Sequence, residues 1–422
     1  MFLASALAFN TVLKTVDFSK NGIEADGAVA LAENMRENRV LGTLKLGSNS
    51  IGDAGARELA GVLAAGQESI FELDLSGNNI GDEGARALAR MLRENRRLVK
   101  LDLSNNEVDY EGAAALAQAL AENRTLRALH LGNNYVGVMG ARALAEGLRR
   151  NAALEELHVG GNEIGDAGAA ALVAGLAASP GTLLELDLSH NAIGPGAVGA
   201  VADFVAGGGA LRYLNLYMNE VGDEGAADLA RVLEADRGLE ELDLGGNSIG
   251  EAGAAAVGRA LRANPTLRAL ELGYNAFGPA GAQRLAECIK FQATLRSLQL
   301  SWCQVGREGA DSLAEALRYN EALMDLDLRG NNVGDGGAEA FARAIGIGGL
   351  DGLAKLDLGY NEIRDDGAFA LAQAMKANAA NEGELVRLSL GNNYLTQFGK
   401  AALDEAESLV REVTGKDVRI PY

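Results

Sequence analysis

Residues Leu73 to Leu92 read LDLSGNNIGDEGARALARML, and the hydrophobic period changes in the middle of this stretch. At its start Leu73 and Leu75 flank Asp74, the alternation of a short half-buried strand. From Gly84 to Asn95 the chain reads GARALARMLREN, and Ala85, Leu88, Ala89 and Leu92 fall on one stripe at helical spacing. Between the two halves lie Asn78 and Asn79, then Gly81 and Gly84, residues suited to a sharp turn. One strand, one turn and one amphipathic helix thus occupy fewer than thirty residues.

The same unit recurs along the chain as LxxLxLxxNxIGDxGAxxLAxxLxxN. Its first leucine-type position is held by Leu13, Leu41, Ile70, Leu98, Leu126, Leu154, Leu183, Leu211, Leu239, Leu267, Leu295, Leu323, Leu353 and Leu385. A strand followed by a helix, repeated without reversal, requires a parallel sheet. Adjacent strands sit about 4.8 Å apart and packed helices roughly 8–10 Å, so the helical side must fan out and the strands must line a concave face. The fold class expected is an α/β solenoid of horseshoe form, with the parallel sheet on the concave face and the helices on the convex face. Residues 1–422 then form one domain of about fourteen repeats. Residues 1–12 match the second half of a repeat, because Leu3-Ala4 and Leu7 to Asn10 align with Leu88-Ala89 and Leu92 to Asn95. Residues from about 400 to 422 lose the LAxxL pattern, carry more charge and read as a C-terminal cap. No polar cap precedes Leu13, so the first edge is expected either to continue into a longer protein or to meet a partner in a larger assembly.

The repeats resemble the ribonuclease-inhibitor-like class of leucine-rich repeats. The quoted segment is similar to repeats of NOD-like receptors and of Ran GTPase-activating proteins. That resemblance implies a protein-binding scaffold, with GTPase activation of the Ran type or structural scaffolding as alternatives. The chain departs from each relative. It has 2 cysteines where ribonuclease inhibitors have many. It shows no nucleotide-binding module before the repeats, and it ends VREVTGKDVRIPY rather than in a long acidic tail. No residue here matches a catalytic position of the GTPase-activating family.

Composition narrows the partners. The net charge is −20, so the surface repels nucleic acid and anionic lipid and favours a basic protein. Two thiols, Cys288 and Cys303, build no disulfide framework, which points to a reducing, cytoplasmic setting. No apolar run reaches the 18 or more residues of a membrane span. The asparagine that follows each strand forms a column from Asn21 to Asn393. It is read as a hydrogen-bonding ladder rather than a site, and Cys303 interrupts it in repeat eleven.

Catalytic motifs are absent: the chain contains no GxxxxGK[ST], HExxH, CxxC or GxSxG. No catalytic residue, cofactor or metal is therefore assigned. His130 and His158 share one position in adjacent repeats, with His190 just past the next strand. Without a third ligand they read as an exposed column rather than a metal site. The strand face carries more information. Its acids are Asp17, Asp74, Asp102, Asp187, Asp243, Glu271, Asp327 and Asp357 between the strand leucines, with Glu72, Glu156, Glu185, Glu241 and Asp325 two residues earlier. Against them stand Lys45, Lys100, Lys355 and Arg387. Two positions past the second strand leucine the usual residue is small, yet Met218, Tyr274, Trp302 and Tyr360 occur there, with Tyr217 beside Met218 and Tyr213 on the same strand. Exposed aromatics of this kind are typical interface anchors. The expected partner-binding residues are Tyr213, Tyr217, Met218, Tyr274, Trp302, Tyr360, Asp243, Glu271 and Asp327.

Overall fold

The computed structural model describes residues 2–346, 352–380 and 385–422, without the side chains of residues 2–4 and 380. Met1, the first residue of the expected partial repeat, lies outside them. Fourteen strands of three residues each alternate with fifteen helices among the described residues. The chain divides into two compact units, Met1–Asn215 and Leu216–Tyr422.

In the first unit the strands are β1 (Thr15–Asp17), β2 (Thr43–Lys45), β3 (Glu72–Asp74), β4 (Lys100–Asp102), β5 (Ala128–His130), β6 (Glu156–His158), β7 (Glu185–Asp187) and β8 (Tyr213–Asn215). In the second they are β9 (Glu241–Asp243), β10 (Ala269–Glu271), β11 (Ser297–Gln299), β12 (Asp325–Asp327), β13 (Lys355–Asp357) and β14 (Arg387–Ser389). Within each unit every strand pairs in parallel with the next, and the central residue lies opposite its counterpart: Leu73 opposite Leu101, Leu298 opposite Leu326. The fold is the expected α/β repeat solenoid, with a parallel sheet and a helix after each strand.

The core follows from the two periods. Leu73 and Leu75 of the strand segment and Ala85, Leu88 and Leu92 of the following helix are all buried. Small residues let neighbouring helices approach. Gly84 has a negative φ, so conformational freedom is not what it supplies; a Cβ there would stand 2.6 Å from Ile80 Cγ2 and 2.7 Å from Asp53 Oδ1. Asp53 fills that space and accepts hydrogen bonds from the N–H groups of Gly81 and Gly84, capping the helix of the following repeat.

Asparagines tie the repeats together. Asn106 Nδ2 donates to the carbonyls of Leu75 and Leu103, each at 2.9 Å, and its Oδ1 accepts from the N–H groups of Asn78 and Ile80. One amide therefore satisfies four backbone groups of two repeats, which is why the position tolerates so little variation. A second amide column closes the other end of many of the helices. Asn123 Nδ2 donates to Leu92 O at 2.7 Å, while Oδ1 accepts from Thr125 and Leu126 N–H. The last segment also adds to the sheet, since Leu388 and Leu390 donate to the carbonyls of Arg419 and Pro421.

Candidate functional site

The turn that follows each strand decides what the sheet face displays. The second residue after the last strand leucine takes a left-handed conformation in repeat after repeat, with φ of +53° at Met218, +60° at Tyr274, +58° at Trp302 and +56° at Tyr360. Its N–H continues the ladder: Tyr274 donates to Ser301 O at 2.7 Å, Trp302 to Arg329 O at 2.8 Å and Tyr360 to Gly391 O at 2.9 Å. The backbone is thus pinned while the side chain is turned outward.

These side chains lean toward the following repeat and tile. Tyr274 and Trp302 are stacked with ring centroids 6.5 Å apart and planes 18° apart. Trp302 also meets Tyr360, two repeats on, at 5.7 Å. Gly330 makes that reach possible: a Cβ on it would lie 2.4–2.6 Å from three atoms of the indole, so the ring lies flat over the glycine backbone. Tyr274, Trp302 and Tyr360 remain 52%, 44% and 50% exposed. The result is a continuous aromatic ledge over repeats ten to thirteen.

The structure joins only some of the expected residues to this ledge. Met218 is exposed but leans over Gly246, its sulfur 2.6 Å from where a Cβ would sit. Tyr217 is half-buried and lies over Gly245. Its hydroxyl pKa is raised by burial first and by Tyr274, Asp243 and Glu271 next, which places it within their field. Tyr213 is half-buried on β8, in the first unit.

The acids below the ledge hold the turns. Every acid between the strand leucines accepts a hydrogen bond from the backbone N–H two residues on: Asp243 from Gly245 at 2.9 Å, Glu271 from Gly273 at 2.6 Å, Asp327 from Arg329 at 2.8 Å and Asp357 from Gly359 at 2.9 Å. Asp17, Asp74, Asp102 and Asp187 do the same in the first unit. Part of the acidity is therefore a turn device. Asp327 is also only 5% exposed and is clasped by Arg329, whose Nε and Nη2 donate to Oδ2 at 2.8 and 2.6 Å. Arg329 reaches Asp357 at 3.8 Å as well. Glu271 is half-buried and forms no ion pair among the described residues. Burial, with Asp243 and Asp327 adding to it, pushes its pKa up to about 7, against the opposing pull of the Gly273 N–H and Arg329.

Two features escaped the sequence reading. Arg329 stands where neighbouring repeats carry glycine or serine, the same kind of departure that marked Tyr217. Gly330 looked like an ordinary turn glycine, and its role depends on the size of a neighbour one repeat away.

Cys303, where the asparagine column breaks, is buried. Its thiol takes over the donor role, with Sγ 3.2 Å from Leu272 O, and burial raises its pKa to about 12, which leaves it unreactive. In the first unit His130 and His158 stack at 4.0 Å with planes 6° apart. His130 lies 3.6 Å from Asp102 and 3.5 Å from Glu156, and His158 lies 3.8 Å from Glu185. His190, in the turn beyond, takes a left-handed φ of +52°. No group of three metal-ligating side chains occurs among the described residues, and no described helix is long and apolar enough to cross a membrane.

Among solved structures the chain is similar to an internalin of Listeria monocytogenes, at 17% identity over 92% of this chain and 88% of that one, with a TM-score of 0.43. It is also similar to the yeast Rad7 and Elc1 complex, at 17% identity over 93% and 81%, with a TM-score of 0.49. No curated protein matches it in sequence. A family model does, the leucine rich repeat. It covers residues 9–32, 37–60, 69–89, 94–117, 122–145, 150–173, 182–202, 211–230, 237–258, 263–286, 292–314, 319–342 and 353–372. With strand, turn and helix in each of these segments, and the turn asparagine in all but that of Cys303, the chain belongs to the leucine-rich-repeat family, whose repeats typically serve as non-enzymatic modules for protein–protein interaction.

Proposed function

We propose that this protein is an interaction module that binds a partner protein with a basic surface through the sheet face of repeats eight to thirteen. The observation that carries the reading is the ledge of Tyr274, Trp302 and Tyr360, half exposed and in mutual contact, beside a row of carboxylates. Large rigid aromatics in contact with one another bury much area at small entropic cost when a partner covers them. The acids give the partner its sign, because a basic surface gains from them and nucleic acid does not. A ribonuclease-inhibitor-like subtype and a cytoplasmic setting fit the same reading, as does a single 422-residue repeat domain.

The test compares the wild-type chain with Trp302→Ala and Tyr274→Ala as baits in a native lysate. Capture of a protein by wild type that falls by about 2–4 kcal/mol in affinity for each variant, with thermal stability unchanged, is the expected result. Loss of stability with capture unchanged would assign the ledge to packing. Stimulated GTP hydrolysis by a captured small GTPase would favour the Ran-type alternative instead.

A further inference from the structure

The acid row and the ledge differ in how far the chain itself satisfies them. On β12 and β13 the carboxylates of Asp327 and Asp357 already have a guanidinium, that of Arg329, entering from the turn side with two hydrogen bonds to Asp327. On β10 Glu271 has no cation within ion-pair distance among the described residues. Its Oε1 and the Ser301 hydroxyl close over Gly273, where a Cβ would stand 2.5 Å from Glu271 Oε1 and 2.6 Å from Ser301 Oγ. At Gly245, the corresponding position beside Asp243, the Tyr217 ring lies over the backbone, 2.9 Å from where a Cβ would sit. Tyr274 follows Gly273 directly and stacks with Trp302, so a half-buried carboxylate and an exposed aromatic surface are separated only by a glycine.

We infer that the ledge and Glu271 form a receptor for one arginine side chain of the partner, its guanidinium lying on the Tyr274–Trp302 surface and its charge met by Glu271 with Asp243 behind. This rests on the interaction-module reading and names the chemistry that the module takes. Arginine rather than lysine fits because a planar guanidinium stacks on aromatic faces and offers parallel donors to a carboxylate, whereas an ammonium keeps its hydration. Arg329 shows the same approach to the same kind of strand acid two strands along.

Protons enter the account through the surroundings of Glu271. Around it stand Asp243 on β9, neutral Gln299 on β11, Asp327 and Arg329 on and after β12, the hydroxyl of Tyr217, and the neutral thiol of Cys303. Near neutral pH this carboxyl is partly protonated, and a cation bound to it holds it ionised. Binding therefore strengthens as the pH rises through about 7.

The chain's single tryptophan is the reporter. The full chain is titrated with N-acetyl-Gly-Arg-Gly-amide, with its lysine counterpart, and with its citrulline counterpart, which keeps the shape without the charge. Saturable change in Trp302 emission is expected with the arginine peptide. The lysine and citrulline peptides should bind roughly fivefold and at least about tenfold more weakly. Affinity for the arginine peptide should rise about fivefold from pH 6 to pH 8 in wild type and stay level in Glu271→Gln, whose amide oxygen still accepts from Gly273 and preserves the turn. No saturation with arginine, equal binding of lysine or citrulline, or an unchanged pH profile in Glu271→Gln overturns the inference. A partner captured through Trp302 that the arginine peptide fails to displace overturns it too, while leaving the interaction-module reading standing. Arginine binding without any captured protein does the reverse.

Discussion

The indole of Trp302 lies flat on the backbone of Gly330, and nothing larger than hydrogen fits between them. Gly330 has φ of +68°, but Asn392 occupies the corresponding position two repeats on at +59°, so the turn itself accepts asparagine. Gly330→Asn should therefore keep the backbone, change stability by about 1 kcal/mol or less, and lift Trp302 away from Tyr360. Steady-state emission of the lone tryptophan, with circular dichroism as the fold control, checks this. Unchanged emission would mean that the ring is held by something other than the glycine.

Asn162→Ala removes donors to Leu131 O at 2.8 Å and Val159 O at 3.0 Å, together with the acceptor of Val136 N–H. These groups are buried. A loss of roughly 1–3 kcal/mol is expected in denaturant unfolding, with binding at the aromatic ledge unaffected.

Affinity for the basic partner should fall about tenfold from low to high salt, because the exposed carboxylates of the strand face act through solvent. The turn-capping hydrogen bonds of Asp243 and Asp357 should survive the same change, so the melting temperature should move little. A flat affinity across ionic strength would confine the acids to their structural role.

The histidine stack should make the first unit acid-sensitive. Burial first, and the neighbouring His130 second, lower the pKa of His158 below its ordinary 6.5. The unfolded chain then binds its proton more readily than the folded one. Stability contributed by the neutral ring is complete above about pH 6.5 and declines as the pH falls from there toward the lowered native value. Unfolding followed from pH 8 to 5 should show this decline in wild type and a shallower one in His158→Gln. Identical slopes would refute it.

The strand–helix unit, the parallel sheet and the asparagine ladder were legible because each rests on a short-range rule repeated many times. Leu73 and Leu75 flank a residue that must point away from them, and Leu88 and Leu92 must share a helix face. The turn position that carries Met218, Tyr274, Trp302 and Tyr360 was legible as well, since one register in a strict repeat projects one direction.

What the sequence could not assign was the relation between registers. Asp243 and Asp327 looked equivalent in the acid column. The fold buries Asp327 against Arg329 and leaves Glu271 half-buried without an ion pair among the described residues, because side-chain length two residues on decides which acid is answered. In the same way the capping duty of Asp53 toward Gly81 and Gly84 links positions 28 and 31 residues apart, which no local pattern announces. Periodicity set where each side chain stands. Only the stacking of one repeat on the next decided what each of them touches, since contacts between repeats depend on the pair of residues and not on either alone.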